Sequence, residues 1–539
     1  MKSIINKISL FLSILLMALT GCQRNWLNEQ PLTALSDASF WKTESDVKLA
    51  LTGLYQASNF GSNESYNNLV SLLSATDDSE YKDAALGTAL SGYFQKPSDA
   101  LIQNSWNSAY KSIYRVNYFL ANIDKVNLDA SKKVQYVAEA KFIRANEYFW
   151  MLQWWGGVPL VTKTLTIPEA NNQKRNSRKE IVDFCISELT AAAANLPASR
   201  SDSEKGRILK AAALAQKGRL LMIEKRWSEA ASAFKEIMDL GVHIIDPRYK
   251  KIFEAEGETS KEIILSSNFV KGLFGNTKNQ INYHPAFYGG FNEANAFQNL
   301  IDAFLMNDGL PIEESPKYNP ANPFDNRDPR LYASMFLPQY TVFRGKLYLW
   351  DPTLTDIGNV KKSSGATGYG CKKYVTENYT GDTQSSDDDI IYIRYAEVLL
   401  GYLESKLEAG DNITQGLLDQ TINKVRGRAE VNMPPVTETN QAKLREIVRR
   451  ERRVEFCWER YTRWMDIHRW GIASQVINNK FYGMKLINDP ANSKYPVDAT
   501  GHIFIIDRTG TYVEPKDGLW PIPQSELDIN PSLGQNPGY

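Results

Sequence analysis

Within LREIVRRERRVEFCWERYTRWMDIHRWG, residues 444–471, the side chains of Ile447, Val454, Trp458, Tyr461, Met465 and His468 recur three and four apart and so share one face of a helix. Glu451 falls inside that apolar stripe. An ionised carboxylate cannot leave water unless a cation or a set of donors meets it, so the fold must bring guanidinium groups to that face. Arg450, Arg452 and Arg453 lie next to Glu451, and the pattern predicts an internal ion-pair lattice around Glu451, Arg452, Arg453 and Glu455. Arginine density of this kind is also a footprint of nucleic-acid surfaces. Here Glu446, Glu451, Glu455, Glu459 and Asp466 interleave with the arginines, and the whole chain balances 62 Lys and Arg against 62 Asp and Glu. No net field gathers a polyanion, and no nucleic-acid partner is expected.

The rest of the chain reads as mainly α. Thr43-Glu44-Ser45-Asp46 is a capping box with Val47, Leu51 and Leu54 following at helical spacing. Helices are predicted over 105–122 and 131–155, the second carrying the stripe Val134, Ala138, Phe142, Ala145, Phe149 and Leu152 and stopping at Gly156-Gly157. Residues 210–224 and 228–240 form a helix pair in which Ala230 and Phe234 match the A-x-x-x-F element of the tetratricopeptide pattern, and a second pair is expected over 389–409 and 414–428. Such repeats pack side by side as a scaffold. Between them, about residues 265–385 are rich in Gly, Asn, Pro and aromatic residues without helical period, which predicts loops with a few strands. The proline-punctuated tail LWPIPQSELDINPSLGQNPGY is expected to lie as an extended strap, helical at most over 525–527.

At the other end, Lys2 and Lys7 precede an apolar run over residues 8–19 that is too short to span a bilayer, and Leu19-Thr20-Gly21-Cys22 closes it. This layout resembles the lipobox of bacterial lipoproteins, in which the cysteine is acylated; the alternative is ordinary signal cleavage beside an incidental cysteine. Several acyl chains on Cys22 anchor a water-soluble body firmly, where a single chain holds only marginally. Cys185, Cys371 and Cys457 are too scattered for a disulfide framework and are expected as buried thiols. His243, His284, His468 and His502 stand isolated, without metal-ligand spacing. Asp387-Asp388-Asp389 reads as helix-start acids before Ile390, since no calcium loop follows. No cofactor and no metal are expected.

The segment IVRRERRVEFCWERYTRWMDIHRWG and the tail with its Pro-Ile-Pro, Asn-Pro and Gln-Asn-Pro-Gly-Tyr elements resemble the SusD/RagB family of outer-membrane glycan-binding lipoproteins. IRYAEVLLGYLESKLEAG, INKVRGRAEV, AEAKFIRANEYFWMLQWWGGVPLV and NWLNEQPLTALSDASFWKTESDVKLALTGLY match as well, so the resemblance runs from Cys22 to Tyr539. Two departures are Cys457-Trp458, where the family often carries a small or acidic pair, and QRNWLNEQ after Cys22, which lacks an early acidic cluster associated with surface export. The resemblance implies a tetratricopeptide-like helical scaffold with a loop-rich, few-stranded half packed on it. It divides the chain into a lipoprotein signal peptide over 1–21, a helical region over 22–260, and a region over 261–539 with the aromatic loops, the Arg/Glu-rich helix and the tail. It also implies a surface-exposed lipid-anchored location at the outer membrane, and a SusC-like, TonB-dependent β-barrel partner to which bound oligosaccharide passes.

Sugars present C–H faces and many hydroxyls, and are gripped by aromatic stacking plus hydrogen bonds from Asn, Asp, Gln or Arg. Two loop regions offer that combination, residues 58–93 and NYHPAFYGGFNEANAF from residue 282. Tyr81, Tyr283, Tyr288 and Phe291 are the stacking candidates, with Asp78 and Asn292 as polar ones. A glycoside hydrolase would need two carboxylates converging in a cleft, and no catalytic motif is present, so no enzyme is expected. The other competitor is a protein-binding lid for the barrel without glycan affinity of its own.

Overall fold

Capping chemistry sets where the helices begin. In the computed structural model, which describes residues 40–58, 60, 72–81, 95–277, 279–285, 289–349, 367–459, 461–486, 496–504 and 511–539, Thr43 starts α1 (Glu44–Ala57). Its hydroxyl accepts the Asp46 amide while the Asp46 carboxylate accepts the Thr43 amide at 2.7 Å, which satisfies two donors that a helix start leaves orphaned. α2 (Ala100–Asn122) begins a turn earlier than the spacing predicted, and α3 (Ala130–Trp155) is capped by Asp129 and ends at Gly156, where φ is 70°. α4 (Arg178–Asn195), α5 (Lys210–Ile223) and α6 (Trp227–Asp239) follow, then α7 (Tyr395–Glu408), α8 (Gln441–Glu455) and α9 (Thr462–Arg469).

These helices form the scaffold: α3 packs on α2 and α4, α4 on α5, α5 on α6, and α6 on α7. Phe234 of the A-x-x-x-F element is the wedge of the last three. A Cβ at Gly218 on α5 or at Gly401 on α7 would come within 2.6 Å or 2.8 Å of its ring, so both glycines let neighbouring helices close on one aromatic. The predicted stripe on α3 is narrower than what is buried. From Tyr148 to Leu152 every residue is inaccessible, because α3 runs through the centre of the helical core, whereas Val134 near its start is exposed.

The remaining strands are short: β1 (Ser79–Tyr81), β2 (Ile263–Ser267), β3 (Ala294–Ala296), β4 (Met335–Phe336), β5 (Val342–Phe343), β6 (Lys346–Leu347), β7 (Gly370–Cys371), β8 (Ile390–Arg394), β9 (Tyr482–Lys485) and β10 (His502–Phe504). β1, β3, β7 and β4 form one antiparallel sheet in that order, and β2–β8, β5–β6 and β9–β10 are two-stranded pairs. This half has its own core, in which Phe297, Phe336, Tyr348 and Trp458 are buried. Few strands, loops and an independent core lie beside a helical scaffold, as the fold class predicted.

Three expectations change. Residues 390–394 are a strand paired with β2, not the start of a helix, since Ile-Ile-Tyr-Ile is a β-branched and aromatic run buried on both faces. Asp388 and Asp389 therefore cap no helix; they accept hydrogen bonds from Gln280 at 2.6 Å and from the Phe269 amide at 2.9 Å. The stripe from Ile447 to His468 is not one helix either. The chain breaks after Glu455, with Trp458 at φ 66°, which sends Trp458 into the loop-side core and Tyr461 into the helical core 4.5 Å from Trp150. In the tail a helix occupies Gln524–Ile529 directly after Pro523, which stands at its N-cap, where the missing N–H interrupts no helical hydrogen bond. The rest of the tail straps the scaffold: Trp520 stacks on Trp154 at 4.9 Å and Trp155 donates to the Pro521 carbonyl at 3.0 Å. Among the described residues no helix is long and apolar enough to cross a membrane.

Candidate functional site

Glu451 and Glu455 stand one turn apart on α8, and both are buried. Glu451 meets Arg330 at 2.5 Å and Arg426 at 2.8 Å; Glu455 meets Arg428 at 2.6 Å, Arg394 at 2.7 Å and Arg330 at 2.8 Å. The partners are thus remote in sequence. Helix residues one or two apart do not face each other, and the neighbours expected to pair with Glu451 turn elsewhere, Arg452 to Asp466 at 2.9 Å and Arg453 to Asp78 at 2.6 Å. Burial pushes the Glu451 and Glu455 carboxyls up, and the guanidiniums around them outweigh it and hold both below the usual carboxylate range.

The lattice fixes the strands that carry the candidate face. Arg330 also grips Asp328 at 2.8 Å, just ahead of β4. Arg453 and Arg463 hold Asp78 and Asp77 in front of β1, with Arg463 at 2.6 Å from Asp77; against the penalty of burial they bring the Asp77 carboxyl to about 2. The Asp78 carbonyl then accepts the Phe297 amide at 2.9 Å, and β1 pairs with β3 in the register Ser79↔Ala296, Glu80↔Asn295, Tyr81↔Ala294. The two loop regions singled out in the sequence are therefore brought side by side, although about two hundred residues separate them.

The individual candidates divide sharply. Phe291 is 48% exposed, on a loop whose base closes through the Asn292 amide donating to the His284 carbonyl at 3.2 Å. Tyr288 and the side chain of Tyr81 lie outside the described residues, as does Cys22. Asp78, Tyr283 and Asn292 are buried, which corrects the expectation that they face a ligand. Asp78 is spent on Arg453, Tyr283 stacks on Tyr374 at 5.9 Å inside the loop-side core, and the Asn292 amide donates to the Tyr348 hydroxyl at 3.2 Å above β7. A loop with little regular structure has to bury some of its own aromatics to hold its shape.

Residues that sequence reasoning missed stand beside the Phe291 loop. Arg344 and Gly345, at φ 50° and 74°, form the two-residue turn of the β5–β6 hairpin. The Arg344 guanidinium donates to the Glu377 and Tyr379 carbonyls and approaches His284 Nε2 at 3.4 Å, docking the hairpin on the loop base. His284 Nδ1 donates to the Gln280 carbonyl at 2.7 Å, and burial lowers the ring to about 4, so it is neutral and its Nε2 is the accepting nitrogen. The legible signal for this hairpin was Gly345 between the strand-forming residues Val342-Phe343 and Leu347-Tyr348, since an arginine at positive φ is not a turn residue that sequence suggests. Phe291 is exposed on the loop, and Tyr340 and Val342 are exposed at the hairpin, while the half-buried Arg344 guanidinium is spent on holding the hairpin to the loop base. Among the described residues no cluster of His, Cys, Asp and Glu could hold a metal, and Cys185, Cys371 and Cys457 are buried free thiols.

Comparison with known proteins agrees with this architecture. Residues 261–539 match the model of the SusD family, and residues 25–222 match a model described as starch-binding, associating with outer membrane. A SusD-like carbohydrate binding protein from Bacteroides fragilis shares 36% identity, with a TM-score of 0.85 over 92% of this chain and 99% of that one. A second SusD-like protein from the same species shares 27% identity, with a TM-score of 0.77 over 95% and 100% of the two chains. SusD-like protein P25 of Formosa agariphila is 24% identical over 97% of this chain and 98% of its own. The chain belongs to the SusD family.

Proposed function

We propose that this chain captures oligosaccharide or polysaccharide at the outer membrane and delivers it to a SusC-like, TonB-dependent barrel, without catalysing its cleavage. The observation that carries the reading is the exposed Phe291 loop, docked on the Arg344 hairpin and fixed to the scaffold through an ion-locked sheet, in a chain of this family. An aromatic ring held on a loop with a closed base suits stacking on a pyranose face, because little side-chain entropy is lost on binding. Acyl chains on Cys22 hold the body at the bilayer. The close acidic pair Asp77–Asp78 is consumed by Arg453 and Arg463, which supports binding over hydrolysis. A barrel lid without glycan affinity is the competing role, and the side-by-side helices support that role too.

Calorimetric titration of the full chain with an oligosaccharide panel tests the reading. Binding without release of reducing ends is expected, with Phe291→Ala weakening it about tenfold and leaving the melting temperature in place. A chain that binds no glycan yet co-purifies with a barrel sinks it in favour of the lid. Labelled palmitate should enter the product and be lost in Cys22→Ser; incorporation into neither removes the anchor.

A further inference from the structure

A cleft of about 320 Å³ opens on the helical half, between α2, the segment after Gly157 and the tail helix, with no residue of the Phe291 loop or of the four-stranded sheet in its lining. Trp106, Tyr110 and Tyr114 of α2 line it at intervals of four, so three aromatic rings stand on one helix face over roughly 12 Å of axis. Trp106 is buried and braced edge-on by Trp155 at 5.1 Å, Tyr110 is half-buried with its hydroxyl donating to the Pro159 carbonyl at 2.9 Å, and Tyr114 is 53% exposed. The ladder thus descends from solvent to a fixed floor. Polar groups ring it: Asn107 and Lys163 at the rim, Gln173 on the far wall, and Glu526 from the tail helix, which accepts a hydrogen bond from Trp106. Burial raises the Glu526 carboxyl above its ordinary value, and the Trp106 hydrogen bond opposes that rise.

We propose that this cleft is a second carbohydrate-binding site, taking a stretch of about two sugar rings against the Tyr110–Tyr114 steps, with hydroxyls turned to Glu526, Gln173 and Asn107. Its volume lies at the lower end of ligand pockets and suits that length. Glu526 is the one carboxylate lining it among the described residues, so it binds and does not hydrolyse, since cleavage needs two. A protein loop would also find apolar surface there. The half-buried Glu526 carboxyl and the side-chain amides of Gln173 and rim-side Asn107 offer hydrogen-bonding groups beside the aromatic steps, which suits a polyhydroxylated ring better than an apolar side chain. The proposal rests on the glycan reading of the chain, at a site separate from the Phe291 face.

The test is calorimetric titration of the full chain with maltohexaose, laminarihexaose, xylohexaose and mannohexaose, comparing wild type, Tyr114→Ala, the mouth-blocking Ala170→Trp, and Phe291→Ala. Tyr114 and Ala170 are exposed, so neither change threatens folding. Wild type is expected to bind at least one probe at two sites per chain, with both cleft variants reducing this to one and Phe291→Ala weakening the other about tenfold. Retention of both sites in Tyr114→Ala and Ala170→Trp overturns the cleft while leaving the glycan reading standing. Loss of barrel co-purification in the cleft variants with glycan binding unchanged overturns it in favour of a protein contact. No binding of any probe by wild type overturns the proposal together with the reading beneath it, whereas a single site that survives Phe291→Ala and is lost in the cleft variants supports the cleft alone.

Discussion

Arg330→Met is the substitution that best separates a lattice that holds the protein together from one that decorates it. Arg330 is 1% exposed and faces Glu451 at 2.5 Å and both Asp328 and Glu455 at 2.8 Å. Methionine keeps much of the length and apolar bulk, so the principal loss is one cation among three carboxylates. Glu451 retains Arg426, and Glu455 retains Arg394 and Arg428, which leaves Asp328 as the carboxylate most exposed to the loss. Removing one partner of a buried pair costs roughly 3–5 kcal/mol, and the retained guanidiniums place this change near the middle, at about 4 kcal/mol.

Urea unfolding followed together by far-ultraviolet dichroism and tryptophan fluorescence measures it, two probes being needed because the helical and loop-side cores are distinct. The midpoint should fall with an unchanged slope. Arg330→Met with Glu451→Gln should lose less than the two changes summed, by roughly 1–2 kcal/mol, because the second change removes a carboxylate that the first has already left with one guanidinium fewer. The pH dependence has a definite sign. Glu451 is held below its ordinary 4.5, so the stabilisation it shares with Arg330 is complete above that pH and declines as pH falls toward the folded value. A loss under about 1 kcal/mol at pH 7, or strict additivity in the double variant, would refute the claim that these charges act as one buried network.

Four further outcomes follow from single positions. A Cβ at Gly218 would meet the Phe234 ring at 2.6 Å, whereas at Gly53 on α1 it meets nothing within 4 Å; Gly218→Ala should therefore destabilise by about 1 kcal/mol despite better helix propensity, and Gly53→Ala should stabilise by roughly 0.5–1 kcal/mol, both read from urea midpoints. His284 is neutral in the fold, lowered to about 4 from 6.5, so it costs stability progressively as pH falls from 6.5 toward 4, up to about 3 kcal/mol, and His284→Gln should flatten that part of a stability–pH curve. Trp520 is buried against Trp154 and Trp155, and Trp520→Ala should cost roughly 3–5 kcal/mol and release the tail to proteolysis, which limited digestion with mass spectrometry would detect.

What could be read from the sequence was local. Thr43 and Asp46, the stop at Gly156-Gly157 and the A-x-x-x-F element all act within a few residues, and each appears where the spacing placed it. The need for a cation at Glu451 was legible for the same reason. Its partner was not: Arg330 lies 121 residues away, and periodicity says that a buried carboxylate must be met without saying by which arginine. The strand at Ile390–Arg394 was misread because a helix follows it without a break, so one apolar run changes period in the middle. The turn at Trp458 was hidden by the reverse effect, since residues on either side keep helical spacing while serving two different cores.

The same physics explains why the binding face was only partly legible. A half built from strands of two to five residues gains little from sheet pairing, so its loops must supply their own core, and the aromatics that would mark a sugar site also mark that core. Tyr283 closes the fold, and Phe291, eight residues later, faces out. Composition cannot separate the two, because the distinction is set by Tyr374 and by the hairpin turn at Arg344, both distant in the chain. On α2 the ambiguity runs the other way. Trp106, Tyr110 and Tyr114 recur at core spacing, yet exposure rises along the row because a step of four residues overshoots a full turn by about 40°, so the row winds off the buried face while Ile113, Val116 and Phe119 stay in the core. An aromatic row that leaves the core along one helix face yields a buried floor and an open step from a single periodic pattern, so stability and ligand contact need no separate sequence signal there.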